Sequence, residues 1–201
     1  LITHDELTTL LHEFGHSLHG MLAEGRYPSL CGTNVARDFV ELPSQIMENW
    51  AFEPEFLDDF AKDYKTGEVI PTELVNKIVR AKNYLSGYYQ VRQLDFGELD
   101  MAWHTLGTMT QDNTLEFEKK ALADYRTLPY VEGTAISTSF NHIFAGGYSA
   151  GYYSYKWAEV LEADAFSLFA EKGIFDKSVA ASFRREILSK GDSEDPAVLY
   201  K

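Results

Sequence analysis

The first 25 residues encode one amphipathic helix, and this helix constrains the fold more than any other feature. Thr3 followed by Glu6 fits a capping box, in which each side chain bonds to the other residue's backbone N–H. Apolar residues then recur at helical spacing, at Leu7, Leu10, Leu11, Phe14, Leu18, Met21 and Leu22. Gly25 ends the pattern, so we predict a helix over residues 4–24.

The rest of the chain also carries helical patterns, separated by turn formers. A second helix is predicted over residues 39–52, where Pro43 must lie in the first turn or kink the helix. The longest irregular region is 128–147, and another helix is predicted over 149–172. We therefore predict an all-α chain with at most a small β element near residues 30–36.

Composition disfavours several classes of partner. The chain has 31 acidic and 18 basic residues and a net charge of −13, so neither nucleic acid nor an anionic membrane is an expected partner. The single Cys31 excludes an intramolecular disulfide framework and a cysteine-rich zinc module. No apolar run approaches the roughly 20 residues that span a bilayer. We expect a cytoplasmic protein.

The first helix carries the sequence His-Glu-Phe-Gly-His, an H-E-x-x-H motif, at residues 12–16. The i, i+4 spacing places His12 and His16 on one face, where each imidazole can present a nitrogen to the same ion at about 2.0–2.1 Å. Glu13 lies beside that face, in the position of a general base that takes a proton from an attacking water. The motif therefore predicts a catalytic metal site.

A catalytic zinc site needs a third protein ligand, and the sequence offers several candidates. His19 lies on the same face as His12, but seven residues rise about 10.5 Å along a helix, so we expect an exposed or supporting role. The metzincin extension requires Gly at position 19 and His at position 22, where this chain has His19 and Leu22. A glutamate on the next helix, the gluzincin arrangement, remains. Glu41 fits best because it opens that helix, and Glu48 is its rival two turns later.

A glycine- and tyrosine-rich stretch, GGYSAGYYSY, occupies residues 146–155. Tyr148 and Tyr155 are seven residues apart, so they share a helix face if the predicted helix is regular from residue 149. A tyrosine hydroxyl has a pKa of about 10, so it remains a hydrogen-bond donor at neutral pH and can stabilise an oxyanion. From the residues alone, the alternative interpretation is that Tyr152, Tyr153 and Tyr155 pack in a core, and we retain this interpretation for Tyr152.

Four segments together resemble a known family: HEFGHSLHG, GTNVARDFVELPSQIMENW, FNHIFAGGYSAGYYSYKW and FRREILSKGDSEDP. They are similar to the C-terminal catalytic region of the thimet oligopeptidase and neurolysin family of zinc metallopeptidases. Within that family, the GTN-x-x-RDFVE loop and the FNHIFAGGYSAGYY stretch resemble the bacterial peptidyl-dipeptidase (Dcp) branch more than oligopeptidase A.

The resemblance implies a site around one Zn²⁺ ion. It assigns His12, His16 and Glu41 as the ligands and Glu13 as the base and proton shuttle. It also implies a helical fold of the gluzincin type.

The resemblance further implies contacts with the substrate. Tyr148 and Tyr155 would reach the scissile carbonyl or its oxyanion, and His142 would contact the substrate or the transition state. Arg37, one turn before Glu41, matches an arginine near the site.

The activity implied by this resemblance is hydrolysis of short peptides, with release of C-terminal dipeptides. An endo-acting oligopeptidase with the same residues is the alternative within enzymes. Family members are several times longer, and this chain starts at Leu1 without an initiator Met. We therefore expect residues 1–201 to be the catalytic region of a longer chain. Its missing N-terminal part would form the other wall of the substrate channel, so the fragment alone would be inactive. A non-catalytic peptide-binding module is less consistent with the intact Glu13.

Overall fold

The computed structural model describes residues 1–108 and 112–200. The catalytic region was predicted over residues 1–201, and of these, residues 109–111 and 201 lie outside the described part. The described part forms α1 His4–Met21, α2 Leu42–Glu48, α3 Pro54–Phe60, α4 Thr72–Lys82, α5 Ser86–His104, α6 Thr114–Ala121, α7 Asn141–Phe144, α8 Ser154–Lys172, α9 Lys177–Phe183 and α10 Pro196–Leu199. The all-α prediction is confirmed. Within the described part, no helix has the length and apolarity needed to cross a bilayer.

No strand forms near residues 30–36, where at most a small β element was predicted. A 3-10 turn at Pro28–Leu30 is followed by bends and turns, and Gly32 adopts a left-handed φ of 57°. A Cβ at Gly32 would lie 3.0 Å from the Cα of Gly20, so the segment lies close against α1 and is not extended beside another strand. In the described residues, the β structure is one isolated bridge between Lys62 and Val69.

The chain divides into two compact units. The first comprises residues 1–82 and 157–201, and the second comprises residues 83–156. The core of the first unit is an apolar cluster to which α1, α2, α3, α4, α8 and α9 contribute; its buried members are Leu7, Leu11, Ile46, Trp50, Ala51, Leu57, Val75, Phe169, Ile174 and Val179. A second cluster in this unit comprises Phe39, Leu42, Leu161, Ile187 and Leu199.

The start of α1 follows the predicted capping box. The Thr3 hydroxyl accepts from the backbone N–H of Glu6, and the Thr3 N–H donates to the Glu6 carboxylate at 2.6 Å. The second predicted helix is shorter than expected. It forms α2 and then a 3-10 segment at Asn49–Phe52, with Pro43 in the first turn. A proline is tolerated there because the first N–H groups of a helix have no intrahelical partner.

The contact between α1 and α2 depends on Gly15. A Cβ at this position would lie 2.5 Å from the Cα of Ser44 and would overlap the carbonyl oxygen of Pro43. Real Cβ atoms do not approach backbone this closely, so any other residue would force the two helices apart. Gly15 therefore sets the separation of the helix that carries the H-E-x-x-H motif from the helix that Glu41 precedes.

The second unit has its own core. It comprises Phe96, Leu99, Leu122, Phe140, Ile143, Tyr148 and Tyr152. Two carboxylates, Asp100 on α5 and Glu118 on α6, are each only 1% exposed. Glu118 accepts hydrogen bonds from the backbone N–H groups of Ile136 and Ser137, at 3.0 and 2.9 Å. A carboxylate on a helix therefore fixes part of the segment that sequence analysis identified as irregular.

The prediction of a regular helix from residue 149 is wrong in its first turn. α8 begins at Ser154, and Ala150 lies in the left-handed region with a φ of 52°. The N–H groups of Ala150 and Tyr152 donate to the carboxylate of Asp100, at 2.8 and 2.9 Å. These tertiary hydrogen bonds, made 50 and 52 residues away in sequence, replace the helical turn.

Gly15→Ala should destabilise the protein by about 1–3 kcal/mol or more, because the new methyl group meets backbone atoms that cannot turn aside. The measurement is the free energy of unfolding from denaturant titration. Gly20→Ala on the same helix is the matched control, because a Cβ there meets nothing within 4 Å. It should be neutral or stabilising by up to about 1 kcal/mol. Equal stabilities of the two variants would contradict the role assigned to Gly15.

Candidate metal centre

Three side chains of the first unit converge on one point. The Nε2 atoms of His12 and His16 lie 3.3 and 3.2 Å from the same Glu41 oxygen, Oε2. One potential ligand atom from each residue lies within 4.8 Å of the other two, so the three atoms can surround a single cation. Both histidines lie on one face of α1, and Glu41 immediately precedes α2. Two imidazole nitrogens and a carboxylate oxygen are the donor set of a His₂Glu catalytic zinc site.

Glu48 orients one of these histidines. Its Oε1 lies 2.7 Å from Nδ1 of His12. Because a carboxylate only accepts, Nδ1 carries a proton, and in the neutral ring the Nε2 lone pair can bind a cation. Burial lowers the pKa of His12, but hydrogen bonds to Glu41 and Glu48, with their charges, raise it more, to about 9. The two carboxylates therefore favour positive charge at this imidazole.

The Glu41 side chain is held in place by Ser44, in the first turn of α2. The Glu41 side chain is buried, and the Ser44 hydroxyl donates to Oε2 at 2.7 Å. A buried carboxylate is unfavourable unless polar or charged partners surround it. The serine and the two imidazoles supply these partners, and a divalent cation between the three ligand atoms would add the largest compensation. The residues present therefore fit a metal ion.

The other two residues predicted close to the metal are accessible. Glu13, next to His12 on α1, is exposed, which is compatible with the predicted exchange of a proton with water. Arg37 is also exposed, in the turns that precede Glu41.

His19 differs from the expectation of an exposed or supporting residue. It is fully buried, and neither ring nitrogen has a hydrogen-bond partner among the described residues. Burial, with a smaller contribution from the charge of His16, lowers the pKa of His19 to about 4. His19 is therefore a neutral, packed side chain at physiological pH.

A second group of predicted residues clusters in the second unit. The rings of Tyr148 and Tyr155 have centroids 5.0 Å apart, and the ring of His142 lies 6.0 and 6.1 Å from them. Tyr148 is buried, Tyr155 is partly buried and His142 is exposed. Tyr152, interpreted from the sequence as a packing residue, is buried between Phe96 and Phe140. The structure thus brings together three of the four residues predicted to contact the substrate, and the fourth, Arg37, belongs to the first unit.

The route by which the two tyrosines meet is not the predicted one. Tyr148 precedes α8, so the two rings do not share a helix face by spacing. They meet because the loop turns back at Ala150 in the left-handed conformation. Gly146 is required beside this turn, since a Cβ there would lie 2.7 Å from the Cα of His142.

Sequence reasoning missed two supporting residues. Glu48 was considered only as a rival metal ligand, although its position one helical turn beyond Ser44 hinted at a role near the site. Asp100 carried no signal in the sequence, because its partners are the backbone N–H groups of a distant loop.

Comparison with known proteins identifies the family. A family model described as peptidase family M3 matches residues 1–201. The chain belongs to peptidase family M3. It is 48% identical over 206 residues to oligopeptidase A of Escherichia coli and 45% identical over 203 residues to oligopeptidase A of Haemophilus influenzae. It is 42% identical over 203 residues to dipeptidyl carboxypeptidase of Escherichia coli.

These alignments cover 100% of this chain and 30% of each of these three relatives, so the chain spans about 30% of their length. The family match and the alignments confirm the predicted family, and they show that this member of family M3 is a metallopeptidase. Identity is slightly higher to these oligopeptidase A sequences than to dipeptidyl carboxypeptidase. Overall identity therefore does not favour the peptidyl-dipeptidase branch, which the loop motifs favour.

Glu41→Ala and Glu48→Ala should differ in metal binding. Removing Glu48 leaves three ligands but frees the His12 ring, so zinc affinity should fall about 10–100-fold. Removing Glu41 deletes a ligand and should cost more than that. Zinc content after dialysis and competition with a chelating dye measure both effects. Undiminished zinc affinity in the Glu41 variant would show that Glu41 is not a ligand.

Proposed function

We propose that this chain forms the catalytic region of a zinc-dependent peptidase that hydrolyses peptide bonds in short peptides. The observation that carries the proposal is the convergence of His12, His16 and Glu41, with ligand atoms within 4.8 Å of one another. Membership of peptidase family M3 supports the reaction class.

The proposed division of labour follows from the donor set. A bound zinc ion would polarise the scissile carbonyl and make water a stronger acid. His12, His16 and Glu41 would hold the ion and leave one position open. Glu13 would take the proton from the attacking water and later give it to the leaving amine.

Tyr148, Tyr155 and His142 are proposed to contact the substrate. Attack on an amide produces an oxyanion, which two O–H donors can stabilise by hydrogen bonding. The 5.0 Å separation of the tyrosine rings supports a joint role for the pair. Arg37 is proposed as a further substrate contact, which its exposure permits.

Two parts of this proposal rest on the family resemblance. One is that residues 1–201 act together with a further N-terminal part of the same protein, which would complete the substrate channel. The other is that short peptides are the partners. The cytoplasmic location remains a prediction from the sequence.

Glu13→Gln tests the base. The amide keeps the size of the side chain but cannot accept a proton, so kcat should fall at least about 100-fold while zinc content stays at one ion per chain. The assay is cleavage of a fluorogenic peptide by the complete protein, with metal analysis of the same sample. Glu24→Gln is a matched control, because Glu24 is exposed just after α1. It should cleave peptides normally. Normal turnover by the Glu13 variant would contradict the assigned role.

Two candidates remain for the position of cleavage. The loop motifs favour release of C-terminal dipeptides, and the 45–48% identity to oligopeptidase A sequences favours internal cleavage as the second candidate. A dipeptide-releasing enzyme would bind the free C-terminal carboxylate of its substrate, because the bond that it cleaves lies two residues from that end. An enzyme that cleaves internal bonds would not need this carboxylate.

Peptides matched in sequence but ending in a free acid or an amide separate these candidates. We expect the free-acid peptide to lose its C-terminal dipeptide and the amidated peptide to be cleaved at least about 10-fold more slowly, because a charged anchor is worth on the order of 1.5–3 kcal/mol. Mass spectrometry identifies the products. Equal cleavage of both peptides at an internal bond would support the oligopeptidase candidate instead.

A further inference from the structure

A buried carboxylate of the second unit holds the loop that carries the tyrosines. Asp100 lies on α5 and is 1% exposed. Its Oδ1 accepts from the N–H of Ala150 at 2.8 Å, and its Oδ2 accepts from the N–H of Tyr152 at 2.9 Å. The Nδ1 atom of His104, one turn later on α5, lies 2.8 Å from Oδ1 and 2.9 Å from the backbone carbonyl oxygen of Asp100. Both oxygens are therefore used, and two of the three partners belong to one loop.

These hydrogen bonds select the conformation of the loop. Ala150 adopts a φ of 52°, which is unfavourable for a residue with a Cβ by on the order of 1–2 kcal/mol. Hydrogen bonds to a charged acceptor are worth about 1.5–3 kcal/mol each, so the Asp100 carboxylate can offset this strain. Without the Asp100 carboxylate, the two N–H groups would lose their acceptor, and these hydrogen bonds would no longer offset the strain of the left-handed turn.

The other end of the loop is also fixed. The N–H of Tyr148 donates to the carbonyl of His142 at 2.9 Å, and the hydroxyl of Ser149 donates to the carbonyl of Ile143. Tyr148 thus lies between an attachment to α7 and the attachment to Asp100. Tyr155 follows in the first turn of α8.

We propose that Asp100 is a positioning residue, which fixes the turn at Ala150–Tyr152 and thereby holds Tyr148 and Tyr155 in their paired arrangement. The catalytic consequence rests on the proposed function, in which these two hydroxyls stabilise the oxyanion. His104 supports Asp100, because its Nδ1 lies against both Oδ1 and the backbone carbonyl oxygen of that residue. Asp100 itself does not touch the substrate.

Asp100→Asn tests this role, because the amide has the same shape but places an NH₂ group against a backbone donor. Glu118→Gln is the matched control: Glu118 is equally buried in the same unit and also accepts from two backbone N–H groups, those of Ile136 and Ser137. Both variants should lose stability to a similar extent. His104→Ala is a milder variant that leaves the Asp100 carboxylate in place. It tests the same role if Asp100→Asn does not fold.

Hydrogen exchange gives the first readout and needs no activity. In Asp100→Asn, the amides of Ala150 and Tyr152 should exchange at least about 10-fold faster, while those of Ile136 and Ser137 keep their protection. Glu118→Gln should show the reverse pattern, and His104→Ala a smaller acceleration at Ala150 and Tyr152. Unchanged exchange at Ala150 and Tyr152 in both Asp100→Asn and His104→Ala would overturn the proposal.

Peptide cleavage by the complete protein gives the second readout. A displaced catalytic group lowers kcat, by up to about 100-fold for a shift near 1 Å, so Asp100→Asn should lose at least about 10-fold in kcat with KM and zinc content little changed. Glu118→Gln should stay close to the wild type. Equal kcat values for the two variants would overturn the positioning role.

The proposed function fails separately. If Tyr148→Phe and Tyr155→Phe cleave peptides normally, the tyrosines are not oxyanion donors, whatever the exchange pattern shows.

Discussion

The close contact between α1 and α2 at Gly15 is the constraint on which the candidate metal centre depends. Two of the candidate ligands lie on α1 and the third immediately precedes α2, so the geometry of the candidate site depends on how the two helices pack. Ser44 connects the two requirements, because its Cα packs where a side chain at residue 15 would lie and its hydroxyl donates to Glu41. The packing that brings the helices together therefore also orients the carboxylate.

The electrostatics of the centre follow from this packing. Glu41 is buried, and the two imidazoles share one of its oxygens at 3.2 and 3.3 Å. A carboxylate in such surroundings requires positive charge, either as protons on the histidines or as a cation between the three side chains. Glu48 is compatible with both arrangements at His12, because it holds the proton on Nδ1 and directs Nε2 toward Glu41. The two carboxylates thus contact different nitrogens of the same imidazole, Glu48 at Nδ1 and Glu41 at Nε2.

Local rules predicted the parts of the structure that depend on local interactions. The Thr3–Glu6 capping box and the position of His12 and His16 on one face of α1 both follow from patterns within a few residues. The predictions that were wrong depended on distant partners. The start of α8 was misplaced because no local pattern reports that Asp100 accepts hydrogen bonds from Ala150 and Tyr152. The bonding of Glu48 to His12 was missed because it joins residues 36 positions apart.

Asp100 and Glu118 show how an irregular segment can be as well determined as a helix. Each lies on a helix, each is 1% exposed, and each accepts from two backbone N–H groups of a segment that lacks regular hydrogen bonding of its own. A buried carboxylate without these donors would be strongly unfavourable, and the donors without a carboxylate would be unpaired, so each stabilises the other's position. Glycine and serine in the loop permit its path, but the helices α5 and α6 decide which path it takes. The conformation of the loop that carries Tyr148 is therefore encoded partly in α5, about 50 residues earlier in the chain.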